Sequence, residues 1–232
     1  NLCTDQIVLL LVERERIASL SSRTADPDVS NVVDLAAGIP VNDGKVEEVA
    51  AIAPDLVITD YFWNARTSAF MTSLGITVHG VPWANSVAEI RIVIRDIAGA
   101  VGERERGEAV IAAMDVKLDA IYARAASKTV VPSLIYSPNG ITAGRTSLEN
   151  EIMGHLRLDN LAVVAGYDYT SAMSLEQVVS LKPRLLVIDA HRQGGNSFAE
   201  RLLVHPAIAG LSDMQQVWLP SRLWLCPGPW VA

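Results

Sequence analysis

The chain lacks any run of lysine or arginine, and over its 232 residues acidic side chains outnumber basic ones 26 to 19, for a formal net charge of −7. A protein that tracks nucleic-acid phosphates needs a concentrated basic face, so that class is excluded. No uninterrupted apolar stretch of about 18 residues is present, so no segment reads as a membrane-spanning helix. The glycine-rich loops that cradle dinucleotide or triphosphate groups are missing, as is the G-x-S-x-G turn that presents a serine nucleophile. His79, His155, His191 and His205 show neither H-x-x-x-H nor H-E-x-x-H spacing, which argues against a tightly held catalytic zinc. Cysteine is scarce: Cys3 and Cys226 leave a disulfide, two free thiols and a shared metal site all open. The chain opens at Asn1 on what reads as the middle of a β-to-α connection and stops without a closing helix, so further sequence is expected at both ends, with an export signal among the possibilities.

What is present is a duplication. Residues 46–60 read VEEVAAIAPDLVITD and residues 175–189 read LEQVVSLKPRLLVID. Each copy has apolar residues at helical spacing, a proline that ends the helix, a Leu/Val/Ile run short enough for a buried parallel strand, and an aspartate. One such unit in each half predicts two lobes with a cleft between them. With 50% hydrophobic residues, the chain can bury one large core or two of roughly 100 residues each, and the repeat favours two.

The spacing predicts a helix over 4–11 capped by Thr4 or Asp5, a strand over 17–20, a long turn-rich connection over 22–44 with a short strand at 39–41, and then the repeated helix and strand. A helix to about Leu74 and a strand over 76–81 complete this half. Residues 86–127 contain no proline and carry an apolar stripe, Val87, Ile90, Ile94, Ile97 and then Val110, Met114, Leu118, Ile121. Gly99 and Gly102 divide it into two helices, the second long enough to link the lobes, with a coiled-coil partner helix as the rival reading. A strand over 130–136, a turn at Ser137–Gly140, a helix entered at capping-box spacing through Thr146 and Glu149, the repeat copy, a helix around 198–204 and a strand over 216–219 follow. The expected fold is α/β: two lobes with small, mostly parallel sheets flanked by helices, joined by one long linking helix. The lobes are drawn at 1–101 and 128–232, with the linking helix at 102–127.

In a parallel sheet, ligands bind outside the carboxyl ends of the strands. The residues there are Tyr61, Phe62 and Trp63; Pro82 and Trp83; Asn139 to Arg145; His191 and Arg192; and Ser221 to Trp224, including Arg222. Trp63, Trp83, Trp224 and Trp230 all fall in predicted loops. Flat aromatic faces beside a few polar anchors suit a large, partly apolar ligand, although a loop tryptophan can equally cover the edge of a core. Arg145, Arg192 and Arg222 could hold an anionic group, or could be solvated surface side chains. His79 lies in an apolar strand and reads as a satisfied core histidine. Asp60 and Asp189 close the two repeats and read as turn-holding residues in preference to a carboxylate pair.

The segments GKVEEVAAIAPDLVIT, SLGITVHGVP, ITAGRTSLENEIMGHLRLDNLA and SLEQVVSLKPRLLVID resemble the periplasmic binding proteins for iron-siderophore complexes, haem and vitamin B12. The resemblance covers nearly the whole chain. It implies two α/β lobes on a rigid helix, a location in the periplasm, and delivery of a metal chelate or tetrapyrrole to the membrane subunits of an ABC importer. It also implies a monomer that is not an enzyme and needs no cofactor. The family's cleft aromatics fall on Tyr61 to Trp63, on Tyr136 and Ile141, and on Trp224, where Ile141 departs from the aromatic found in the corrinoid binders. Ala65 and Leu225 stand where transporter-docking glutamates are expected, leaving Glu47, Glu48, Glu149 and Glu151 for that task. A binder of bare divalent metal on a similar plan has only His191 and Asp5 near the site. A two-lobed enzyme, such as a glycosyl transferase or a metallocluster reductase subunit, is the more distant alternative.

Overall fold

A computed structural model describes residues 1–61, 65–190, 205–211 and 213–232. The chain divides into two compact units, Asn1–Asp115 together with Leu225–Ala232, and Val116–Trp224. Residues 225–232, drawn above with the second lobe, group with the first because a Cys3–Cys226 disulfide ties them there, with a Cα separation of 5.1 Å. The cystine resolves the open question of the two thiols.

In the first unit, helix α1 (Leu2–Leu11) begins earlier than its spacing suggests. Asn1 is the cap, its side chain accepting from the Cys3 and Thr4 N–H groups at 3.0 and 3.2 Å, and Thr4 supplies the return arm of a capping box. The strand expected over 17–20 is reduced to β1 (Leu20–Ser21), because a 3-10 turn at Arg14–Arg16 takes up the preceding chain and the parallel partner β2 (Val41–Asn42) is itself only two residues long. Helix α2 (Val33–Ala36) lies in the connection, where Leu9, Leu20, Val32, Ala36 and Ile39 form a core.

The first repeat gives α3 (Val46–Ile52) and β3 (Val57–Asp60), which pairs in parallel with β4 (Val78–Val81) after α4 (Ala65–Ser73). Helix α5 (Val87–Val101) is capped by Ser86, buries Val87, Ile90, Ile94 and Ile97 as its stripe requires, and ends at Gly102 in the left-handed conformation. The long helix α6 (Arg104–Ala126) follows, and the division between units falls within it. Its first half packs closely on α5, since a Cβ on Gly107 would lie 2.6 Å from that of Ala98. Arg91 forks onto Asp115 at 2.8–3.2 Å and Arg95 onto Glu108 at 2.6–2.9 Å along the same helix pair.

The second unit is built on a four-stranded parallel sheet of order β10-β9-β5-β7, from β5 (Val131–Tyr136), β7 (Leu158–Asn160), β9 (Leu185–Ala190) and β10 (Gln215–Pro220). Helices α7 (Leu148–His155), α8 (Leu161–Val164), α9 (Leu175–Leu181) and α10 (Pro206–Ala209) accompany it, with an antiparallel pair β6 (Ile141–Thr142) and β8 (Ser171–Ala172) at one side. Helix α7 is capped by Ser147, to which the Asn150 N–H donates, and not by the Thr146/Glu149 pair, because the Thr146 hydroxyl donates to the Asp168 carbonyl instead. The two repeats stop alike: α3 and α9 each end on a residue in left-handed conformation, Ala53 and Lys182, followed by proline. The helix expected around 198–204 lies outside the described residues.

Candidate functional site

Strand β5 sorts its side chains by alternation. Leu134 and Tyr136 enter one core with Met173, Val178, Leu186 and Ile188; Ile135 enters another with Ala143, Met153 and Val187, against which Trp224 packs. After β5 the chain turns through Pro138–Gly140, with Asn139 at φ 62°, and Ser137 N–H closes the turn on the Ile141 carbonyl at 2.8 Å. The Thr142 hydroxyl then donates back to the Ile135 carbonyl at 2.8 Å. Residues 143–147 are clipped to 167–168: Arg145 N–H donates to Tyr167 O at 3.1 Å and Thr146 N–H to Asp168 O at 3.0 Å. Gly144 makes this possible, because a Cβ there would sit 2.4 Å from the Tyr169 backbone. The buried Asn160 amide holds the Ala143 carbonyl at 2.9 Å. The loop that carries the candidate site is thus fixed by backbone bonds at each step.

A shallow, open hollow of about 40 Å³ lies beside this loop, lined by Ile135, Ile141, Thr142, Glu149, Thr170 and Trp224 among others. Its lining combines apolar side chains with hydroxyls and one carboxylate. The Trp224 indole N–H is buried without a hydrogen-bond partner. A buried donor left unmatched costs about 1–3 kcal/mol. Glu149, read above as a capping or docking residue, belongs to the hollow.

Sequence and structure part company at Tyr136. Its side chain is 1% exposed and its hydroxyl donates to the Met173 carbonyl at 3.3 Å, so it is a core residue and not a cleft aromatic. The pleat accounts for this, since Ile135 takes the face toward Trp224 and Tyr136 must take the other. Burial, with a smaller contribution from the Glu176 charge, pushes the phenol pKa above its ordinary value. In an alkaline titration Tyr136 therefore ionises above the ordinary phenol range, and Tyr136→Phe removes that high-pH component of the phenolate absorbance. Because the folded-state value is raised, this group's contribution to stability is intact below the unfolded pKa of about 10 and is lost as pH climbs through the folded value. A phenolate titration left unchanged by Tyr136→Phe would contradict this placement.

Among the other candidates in this unit, Ile141 and Trp224 line the hollow, and Asn139 is exposed on the adjoining turn. Arg145 is exposed and its Nε lies 3.0 Å from an Asp168 carboxylate oxygen, a surface pair of small energetic weight. Arg222 is half-buried in the 3-10 turn Ser221–Leu223 that leads to Trp224.

In the first unit, Tyr61 and Trp83 follow the adjacent parallel strands β3 and β4 and are 60% and 43% exposed. Asp5, in contrast, is turned inward, where its carboxylate accepts from the Ser21 N–H at 2.7 Å and the Thr24 hydroxyl at 2.9 Å and joins α1 to β1. Asp60 accepts from the Asn1 side-chain amide. His79 is a satisfied histidine, its Nε2 2.9 Å from an Asp96 carboxylate oxygen, but it is half-buried and not a core residue. Trp230 has a structural place, donating to the Cys226 carbonyl at 2.6 Å and packing beside Leu2, Val29 and Cys226. Phe62, Trp63, His191 and Arg192 lie outside the described residues. Among the described residues, no group of three or more His, Cys, Asp or Glu side chains could hold a metal ion, and no helix is long and apolar enough to cross a membrane.

A mostly parallel α/β architecture with aromatic side chains at the strand ends defines a class of ligand-binding protein. The sequence profile of the periplasmic binding protein family matches residues 1–215, and the chain belongs to that family. No curated protein sequence matches it significantly. Among solved structures, the chain is similar to the apo periplasmic haem-binding protein RhuT from Roseiflexus sp. RS-1, with 22% identity and a TM-score of 0.79 over 99% of this chain and 90% of the other. It is also similar to the molybdate-bound periplasmic protein MolA of Haemophilus influenzae, at 18% identity and TM-score 0.78 over 100% and 80%. A third is the periplasmic vitamin B12-binding protein BtuF of Vibrio cholerae, at 16% identity and TM-score 0.71 over 97% and 88%.

Proposed function

We propose that this protein captures a large, partly apolar chelate of the haem, corrinoid or iron-siderophore class outside the cytoplasm and delivers it to an ABC importer. Family membership over residues 1–215 sets the class, and one structural observation carries the finer reading. Each unit offers aromatic surface at its strand ends, Tyr61 and Trp83 in one and Trp224 beside its hollow in the other. Aromatic rings suit the flat apolar body of such a ligand, while hydroxyls and an unmatched indole N–H suit its oxygen-rich rim. The cystine fits an oxidising compartment, where such bonds persist. Of the acidic residues considered for docking on the importer, Glu149 lines the hollow, and Glu47, Glu48 and Glu151 remain the candidates in this reading.

Tryptophan-fluorescence titration with haemin, cyanocobalamin and ferric hydroxamate and catecholate siderophores tests the proposal, with correction for light absorbed by each coloured ligand. Saturable quenching by one class, with a Kd of roughly micromolar or tighter, is expected. Folded protein that responds to none of them would count against this ligand class.

A further inference from the structure

Gly80 lies within β4, and its backbone does not occupy the left-handed region, so the fold does not need glycine there for conformational reasons. What the position lacks is a side chain, and the space is used. A Cβ on Gly80 would lie 2.7 Å from Cε1, 2.8 Å from Cδ1 and 3.3 Å from Cζ of Tyr61. The phenol ring therefore rests directly on the bare strand. Register explains how it gets there: Thr59 pairs with Gly80 and Asp60 with Val81, and the Tyr61 N–H donates to the Val81 carbonyl at 3.2 Å, which fixes the backbone from which the ring extends. Glycine inside a strand commonly marks such a close approach. The ring remains 60% exposed, so it is seated on one side and open on the rest.

We infer that Gly80 is a positioning residue of the ligand surface: by omitting a side chain it seats the Tyr61 ring in one pose beside the ends of β3 and β4 and so sets the shape the first unit offers to its ligand. An aromatic ring held before binding loses little freedom when a ligand stacks on it, whereas an unseated one must be ordered at a cost in affinity. Any side chain at position 80 must displace the ring. The role in binding rests on the proposed function above; the seating of the ring does not.

Two measurements separate the two. In wild-type protein without ligand, proton NMR should show a nuclear Overhauser contact between the Tyr61 ring and the Gly80 α-protons, and its absence overturns the seat whatever the protein binds. Haemin and cyanocobalamin are then titrated into wild type, Gly80→Ala, Tyr61→Ala and the double variant, with circular dichroism confirming that Gly80→Ala is folded. Gly80→Ala is expected to weaken the bound ligand about threefold to tenfold, Tyr61→Ala at least as much, and the double variant no more than Tyr61→Ala. Unchanged affinity in Gly80→Ala, or a double variant weaker than Tyr61→Ala by the full Gly80→Ala factor, overturns the positioning role. An Overhauser contact in a wild type that binds neither ligand supports the seat and counts against the haem and corrinoid readings.

Discussion

Breaking the Cys3–Cys226 bridge, by reductant or by changing both cysteines to alanine, is expected to lower the unfolding midpoint of the first unit by roughly 10–20 °C, corresponding to about 4 kcal/mol. The bridge spans 223 positions, so it closes a very long loop in the unfolded chain, and closure of long loops removes the most unfolded-state entropy in the chain-entropy account. What the bridge holds in the native state is equally definite. Cys226 is fully buried beside Leu2 and Val29, and its carbonyl accepts the Trp230 indole N–H. Without the cystine, residues 225–232 lose their covalent tie to α1 and keep this small apolar cluster. The two units need not unfold together, so a single global transition is the wrong observable. Hydrogen exchange read segment by segment is the better one. Amides of α1 and of residues 225–232 should lose protection on reduction, while those of β5 and β9 keep theirs. A midpoint and an exchange pattern indifferent to reductant would show that the bridge contributes nothing beyond local packing.

The cystine also marks where sequence reasoning stops. Cys3 and Cys226 lie at opposite extremes of the chain, and nothing in local pattern states how far apart two such residues are in space. The repeat was legible because helix, proline and strand are local signals: α3–β3 and α9–β9 form where the doubled segments place them. The apolar stripe of α5 was legible for the same reason, with Ile90, Ile94 and Ile97 all fully buried. Elements only two residues long were less so: β1 and β2 keep only the last residue of the strands expected over 17–20 and 39–41, and β6 and β8 were not foreseen, because such elements depend on a partner strand and not on their own composition. Of the residues the strand-end rule picked out, Tyr61 and Trp83 are exposed at the ends of β3 and β4, and Ile141 and Trp224 line the hollow. Tyr136, placed in the cleft by the resemblance, lies on the other face of the pleat, since adjacency to a turn does not say which face a residue takes. Thr170 and Glu149 were missed as lining residues because such polar side chains look like ordinary loop or capping chemistry until the fold brings them beside Trp224. Gly80 alone carried a usable signal, a glycine within an otherwise apolar strand.

Trp224→Ala is expected to weaken ligand binding by about 1–3 kcal/mol, roughly fivefold to 150-fold, and to destabilise the second unit as well. The two effects have separate causes. The ring packs against the core formed by Ile135, Ala143, Met153 and Val187, so its removal leaves a void at a cost of about 2–4 kcal/mol. The same ring lines the hollow and carries the buried, unmatched N–H. Trp224→Phe divides these contributions, because it keeps an aromatic face against the core and in the hollow but removes the donor. If a ligand acceptor meets the indole N–H, the phenylalanine variant should bind about threefold to 15-fold more weakly at nearly unchanged stability, the range for a single hydrogen bond. If the ring acts by stacking alone, the phenylalanine variant should bind almost like wild type while the alanine variant does not. Alanine and phenylalanine variants that both bind with wild-type affinity, measured by titration at a temperature where each is folded, would remove Trp224 from the ligand surface. It would then be a core residue whose buried nitrogen is matched by solvent, and the ligand reading would rest on the first unit's Tyr61 and Trp83.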